Sequence, residues 1–259
     1  MPEDLEYRNA PPIDISSVTK HFLSVALFPF LLTLLSAIAC YGSTGPSLGL
    51  YIAGLVLATL LLPAFSMAEQ TILDRLIAAT AVVVPISAVW LFGKFHSETY
   101  LREWGKSTLV LEAYAIALVG LAAGLRWAKF PAIAAAALSV FIGLAWLTWP
   151  IWLSRTWDGE SSAAGVARLV MFHPGMAING QVATLGAWSE QSVAYHLTDL
   201  SQNVLYSLPT SIWPTVLFHT LFGGGLLCLA SWVAGRGVAV KTWPSIVQID
   251  PSATKNSAT

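Results

Sequence analysis

Four of the five histidines, His96, His173, His196 and His219, fall at or near one end of the hydrophobic runs, with Glu98, Glu190 and Asp199 in the same layer. Neutral imidazole is a common metal and haem ligand that carboxylates orient, so convergence of these side chains would build a metal or haem site. None of them has a recognised ligand spacing such as HExxH or CxxC, and His196 with Asp199 makes only a local i, i+3 pair. No metal or cofactor is therefore assigned. The histidines stand as candidate ligands against the simpler reading that each bonds a headgroup, water or backbone. Glu112 is the one carboxylate well inside a hydrophobic run. An acid there is costly and is a candidate for binding a proton, cation or substrate; its alternative is a shallow position, about one turn below Lys106 and Ser107, from which it reaches the headgroups. Asn179 and Gln181 follow the break at His173-Pro174, where they would line a pore entrance or cap helix ends. Glu112, His173 and Asn179 are the candidate substrate-binding residues.

Several chemistries lack their motifs. Gly93-Lys94 is followed by Phe95, so there is no GxxxxGK[ST] loop to cradle ATP phosphates, and neither a GxSxG elbow nor a dinucleotide-binding glycine fingerprint is present. No catalytic residue is assigned and the chain is not read as an enzyme. Energy for any pumping would come from a partner or an ion gradient.

The elements that must position these residues are membrane helices. Residues are 56% hydrophobic and 10% charged, against roughly 25% charged in soluble proteins, and mean hydropathy is +0.67. A net charge of −1 with scattered basic residues gives no nucleic-acid footprint. Six runs have the roughly 17–25 apolar residues needed to cross the hydrocarbon: 22–41, 48–68, 76–93, 108–125, 131–153 and 212–234. Each must be helical, because a chain in lipid has to satisfy its own backbone. The expected fold is an all-α polytopic bundle over 22–235, with an N-terminal tail at 1–21 and a C-terminal tail at 236–259. Eight Lys and Arg fall on one side and five on the other, which places both termini in the cytoplasm. Short tails without eukaryotic targeting signals suit a bacterial inner membrane. Cys40 and Cys228 lie at different depths in antiparallel spans, so no disulfide is expected.

The long outer connection, 154–211, is more than a linker. Residues 163–186 are too broken by Pro174, Gly175 and Gly180 to span and too apolar to float free, so a re-entrant or interfacial piece is expected. Ser189 then opens a second helix to Leu208 with Val193, Leu197, Leu200 and Val204 on one face, an amphipathic helix on the membrane surface. Gly120 and Gly124 form a GxxxG pair and Ala134 to Ala137 a thin face, both read as helix-packing surfaces.

This order, an N-terminal stretch at 1–21, six spans and short outer helices at 163–208, resembles the permease subunits of ABC-2-type exporters. The stretch from Ala68-Glu69-Gln70 through Leu73-Asp74-Arg75 to Pro85-Ile86-Ser87 and Gly93-Lys94 is similar to that family's segment between a coupling-helix acid and its Gly-Lys. The resemblance implies transport energised by a separate cytoplasmic ATPase, although the inner loop at 69–75 is short for docking one. Two other readings stay open. A non-catalytic membrane subunit would organise a larger complex or homo-oligomer through its small-residue faces. A redox anchor would hold haem or a metal ion on His173, His196 and His219. The lipid bilayer is a partner under all three.

Overall fold

The computed structural model describes Leu31 and residues 48–65, 71–91, 98–152, 160–182 and 208–240. The first expected span at 22–41 (Leu31 apart), the N-terminal tail, the C-terminal tail beyond Val240, His96, His196 and nearly all of the surface helix at 189–208 lie outside the described residues; residues 236–240, expected in the tail, continue the last helix. Within them the chain is all-α and forms seven helices: α1 (Leu48–Phe65), α2 (Ile72–Leu91), α3 (Glu98–Trp127), α4 (Ala132–Trp152), α5 (Glu160–Phe172), α6 (Pro174–Val182) and α7 (Trp213–Val240). Four segments are long and apolar enough to cross a membrane: Ile72–Leu91, Tyr100–Trp127, Ala132–Ile151 and Trp213–Val233. They correspond to the third to sixth expected spans. The second corresponds to α1, whose apolar stretch, Leu50–Phe65, is shorter.

Helix boundaries follow local chemistry that hydropathy does not register. Asp74 and Thr71 form a capping box: the Asp74 N–H donates to Thr71 Oγ1 at 3.1 Å and the Thr71 N–H donates to Asp74 Oδ2 at 3.2 Å. The charged Leu73-Asp74-Arg75 segment is thereby the first turn of α2 rather than loop. The helix α3 begins at Glu98, ten residues before the apolar run, because its first turns serve α2. The Tyr100 hydroxyl donates to Trp90 O, and Trp104 Nε1 donates to Ser87 O at 2.7 Å. Carbonyls at the end of α2 would otherwise be unpaired beside lipid. At its other end α3 closes in a Schellman motif, with the Phe130 N–H donating to Leu125 O at 3.1 Å and the Lys129 N–H to Arg126 O at 3.0 Å. Lys129 takes the left-handed position at φ 67°, and Pro131 leads into α4.

The helix α3 is the hub, touching every other helix of the bundle except α5, and its most extensive contact is with α7. There two glycines meet. A Cβ on Gly120 would stand 2.3 Å from Gly223 O, and one on Gly223 would stand 2.3 Å from Ile116 O. Backbone lies directly on backbone, so the GxxxG signal is half of a crossing whose other half is Gly223. On the opposite side of α3, Leu55 and Leu62 of α1, Val82 and Ile86 of α2, and Leu111 of α3 are completely buried. The helices α4 and α7 are the open flank: only 22% of each spanning window is buried.

The crossing predicts a position-specific response in one glycine run. Gly223→Ala or Gly120→Ala must push α3 and α7 apart and should cost about 1–3 kcal/mol, read as a lowered thermal unfolding midpoint in detergent. Gly224→Ala and Gly225→Ala meet nothing within 4 Å and should leave the midpoint unchanged or raise it.

Candidate functional site

Within the expected connection at 154–211, residues 160–182 fold as the broken pair α5–α6, with the break at His173. Pro174 occupies the first turn of α6, where its missing N–H costs nothing, and His173 is the cap. Its carbonyl accepts the Ala177 N–H at 3.0 Å and its Nδ1 accepts the Met176 N–H at 3.1 Å. Since Nδ1 is an acceptor, the ring proton sits on Nε2, which donates to Leu147 O of α4 at 3.1 Å. Both ring nitrogens are thus committed to backbone, which describes a neutral, structural imidazole fixed in one tautomer.

Two further ties seat the pair. Thr215 Oγ1 of α7 donates to Met171 O near the end of α5 at 2.6 Å. Lys106 Nζ of α3 donates to Gln181 Oε1 of α6 at 2.8 Å and to Glu103 Oε1 at 3.1 Å. The Glu103 side chain is 4% exposed, between Lys106 and the Arg102 Nε at 3.6 Å, so its charge is compensated as a buried carboxylate requires. Gln181 Nε2 also reaches Thr210 O at 3.4 Å. Asn179 is buried on α6 and its Oδ1 has no hydrogen-bond partner.

Glu112 stands elsewhere. With α3 starting at Glu98, it lies about 18 Å from the Tyr100 end of the span and about 22 Å from the Trp127 end. Tyr114, two positions on, meets His219 only six residues inside Trp213, so the first turns of α3 extend past the start of α7 and Glu112 lies within about 9 Å of that level. Thr80 Oγ1 of α2 donates to its Oε1 at 3.2 Å. Glu112 and Tyr114, two positions apart on a helix, point to opposite faces. His173 and Asn179 therefore share the docked pair, whereas Glu112 is on the α2 side of α3.

His219 meets His173 across one indole. The rings of His173 and His219 are 6.1 and 6.4 Å from that of Trp146, and Tyr114 meets His219 edge to face at 5.5 Å. His219 Nδ1 lies 2.8 Å from Thr215 O; a carbonyl only accepts, so Nδ1 carries the proton. Nε2 is then a bare acceptor, and it is buried without a partner. A cavity of about 170 Å³ opens beside it, walled by Tyr114, Leu118, Ile142, Trp146, Phe218 and His219. Among the described residues no three His, Cys, Asp or Glu side chains group as a metal site, and Cys228 is free and exposed.

Comparison with protein families, with characterised proteins and with solved structures finds no match for the chain. Function must then be argued from this geometry. Sequence reasoning passed over Tyr114, Trp146, Lys106 and Glu103 as partners in it. Lys106 and Glu103 sit at i, i+3 on one helix, a spacing readable as an ion pair; nothing in the sequence ties them to Gln181, 75 positions further on.

The cap assignment separates His173 substitutions by what they restore. His173→Ala removes the α6 cap and the tie from α6 to Leu147 O of α4, an expected loss of about 2 kcal/mol. His173→Asn supplies a capping oxygen and should recover part of that loss in a thermal unfolding assay; equal midpoints for Ala and Asn would refute the cap.

Proposed function

We propose that the chain is the permease-like subunit of an export system, energised by a separate ATPase, in a bacterial inner membrane. The observation that carries this reading is the short helical pair α5–α6, placed between the last two spanning segments and held by Thr215, His173 and Lys106. A membrane chain with no business at that end would need no broken helix there. The buried α6, with α5 docked on it through Val166 and Val170, is the kind of non-crossing element against which an external gate closes. The layout of exporter permeases supports the same assignment, as an analogy of form.

A second reading has one observation in its favour. The helix α4 leaves Ile133 86% and Phe141 69% exposed, an apolar surface as suited to a neighbouring membrane subunit as to lipid, and the chain would then organise a larger complex. The redox-anchor reading retains less, because both nitrogens of His173 are engaged and His219 offers one.

Gentle purification of the tagged chain from its native host discriminates among the three. The permease reading expects a P-loop ATPase at fixed stoichiometry whose ATP hydrolysis rises with the complex. It also expects Gln181→Leu, which frees α6 from Lys106, to keep the ATPase bound while weakening its stimulation severalfold. A stoichiometric membrane partner with no ATPase would replace it with the assembly reading, and a Soret band without an ATPase would replace it with the redox anchor.

A further inference from the structure

Of the acids in the described spanning segments, Glu112 is the one that the bundle leaves without a cation or a capping duty. Asp74 caps α2, and Glu103 lies between Lys106 and Arg102. Among the described residues Glu112 has a single partner, the Thr80 hydroxyl, which donates to Oε1 at 3.2 Å. Lys106 lies about 9 Å away along the axis of α3 and is already engaged by Glu103 and Gln181. Oε2 is thus left without a partner and, unlike Nε2 of His219, it is not sealed from the surface.

Helix periodicity sets what surrounds this carboxyl. On α2, Ile77, Thr80 and Val84 share one stripe and all three are exposed; on α3, Leu109, Glu112 and Ile116 share another, with Leu109 exposed and the other two half-buried. The antiparallel stripes run side by side and are joined at the Thr80–Glu112 hydrogen bond. Val84 and Leu109 therefore lie one turn toward the α5–α6 end, and Ile77 and Ile116 one turn the other way. The carboxyl sits in an outward-facing seam with an apolar rim above and below it, on the side of α3 away from Tyr114 and the cavity.

An ionisable group so placed is costly in either state. As an anion, Oε2 is a charge beside hydrocarbon without a donor; as a neutral acid, it is a donor there without an acceptor. A metal ion does not meet the demand, since a hard cation takes about six oxygen ligands or more and no three acids, histidines or cysteines group among the described residues. A neutral hydroxyl would give a hydrogen bond and leave the charge. A protonated amine supplies both in one charge-assisted bond, and an alkyl chain attached to it covers the apolar rim. The level suits this occupant as well. Glu112 lies within about 9 Å of the start of α7, where a single-chain amphiphile entering from the bilayer surface places its head while its tail runs deeper along Ile77 and Ile116.

We infer that the Thr80–Glu112 seam between α2 and α3 binds the protonated amine head of a long-chain membrane amphiphile, with Glu112 as its counter-ion and Thr80 holding the carboxyl in place. The inference goes beyond the export reading and holds whether or not an ATPase accompanies the chain.

The test uses the full chain in phosphatidylcholine nanodiscs with hexadecylamine carrying a photoreactive diazirine in its chain, and competitors are compared at equal mole fraction in the lipid. The label is expected on α2 and α3 around Thr80 and Glu112, displaced by unlabelled hexadecylamine. N-hexadecylacetamide keeps the chain and an N–H but loses the charge. It should displace the label at least about tenfold less well, the order of change that a charge-assisted hydrogen bond supplies. Displacement by dioleoylphosphatidylethanolamine at lower mole fraction than by hexadecylamine would support the site and assign its amine to a phospholipid headgroup. Glu112→Gln keeps the size of the side chain and the oxygen that Thr80 bonds. It should reduce displaceable labelling at least about tenfold with an unchanged thermal unfolding midpoint, and Thr80→Val should reduce it less. The comparison of amine with acetamide needs no variant and decides the matter alone. Equal displacement by the two would overturn the proposal in favour of an apolar crevice filled by lipid tails. Displaceable labelling that survives Glu112→Gln, or label confined to other helices, would overturn it in favour of a cation seated elsewhere. An unlabelled seam, with a co-purifying membrane subunit that Glu112→Gln releases, would overturn it in favour of a Lys or Arg side chain from a neighbouring helix.

Discussion

The backbone contact between Gly120 and Gly223 is the constraint from which the rest of the bundle takes its geometry. Lipid tails are as apolar as leucine, so burying more leucine draws two membrane helices together only weakly; close approach of backbones does it instead. The helix α7 illustrates this, since most of its spanning segment faces outward and yet its contact with α3 is the most extensive among the described helices. Once that crossing is fixed, the residues a turn or two nearer the α5–α6 end are fixed as well. Tyr114 and His219 then meet edge to face. Tyr114 in turn hydrogen-bonds Thr59 of α1 at 2.9 Å and donates to Gly143 O of α4 at 3.2 Å, so a single phenol fastens three helices. A Cβ on Gly143 would lie 2.6 Å from Thr59, which holds α4 against α1. The cavity is the space left where α4 cannot also close on α7.

Backbone demands account for most of the polar side chains that looked chemical. The indole of Trp90 donates to Leu50 O at 3.3 Å, that of Trp104 to Ser87 O, Thr215 to Met171 O and His173 to Leu147 O. Each supplies a donor to a carbonyl in a medium that offers no water. This is why His173 makes a poor ligand and a good cap. Against that background Nε2 of His219, Nε1 of Trp146 and Oδ1 of Asn179 stand out as buried atoms without a partner among the described residues.

The sequence carried the all-α architecture in its hydropathy and the break before α6 in Pro174, whereas Gly175 and Gly180, expected to break the segment further, lie inside the continuous α6. It misplaced boundaries where chemistry overrode apolarity: Asp74 reads as loop until it is seen capping α2, and the charged turn at 102–106 reads as loop until Glu103, Lys106 and Gln181 are found together. Glu112 keeps both its readings, an acid within the bundle and a shallow one below Lys106, since its Thr80 partner suits either. The cavity was invisible in sequence, since it depends on which faces of three non-consecutive helices meet. Its glycine determinant was only half legible, because a GxxxG pair shows that a helix is thin but not which helix lies on it.

The distribution of polarity also limits what a permease on this frame could carry. An ion or sugar route needs polar groups at successive depths. Here, among the described residues, polar side chains pair around Lys106 and Gln181 at the α5–α6 end, at Glu112 with Thr80 toward α2 and at Tyr114 with Thr59, while the cavity beside Tyr114 and His219 is walled by apolar surface. Such an arrangement disfavours passage of a hydrated solute through the middle of one copy. The outward-facing flank of α4 and α7 is instead the surface on which such a frame would meet lipid or a second subunit, through packing rather than through polar side chains.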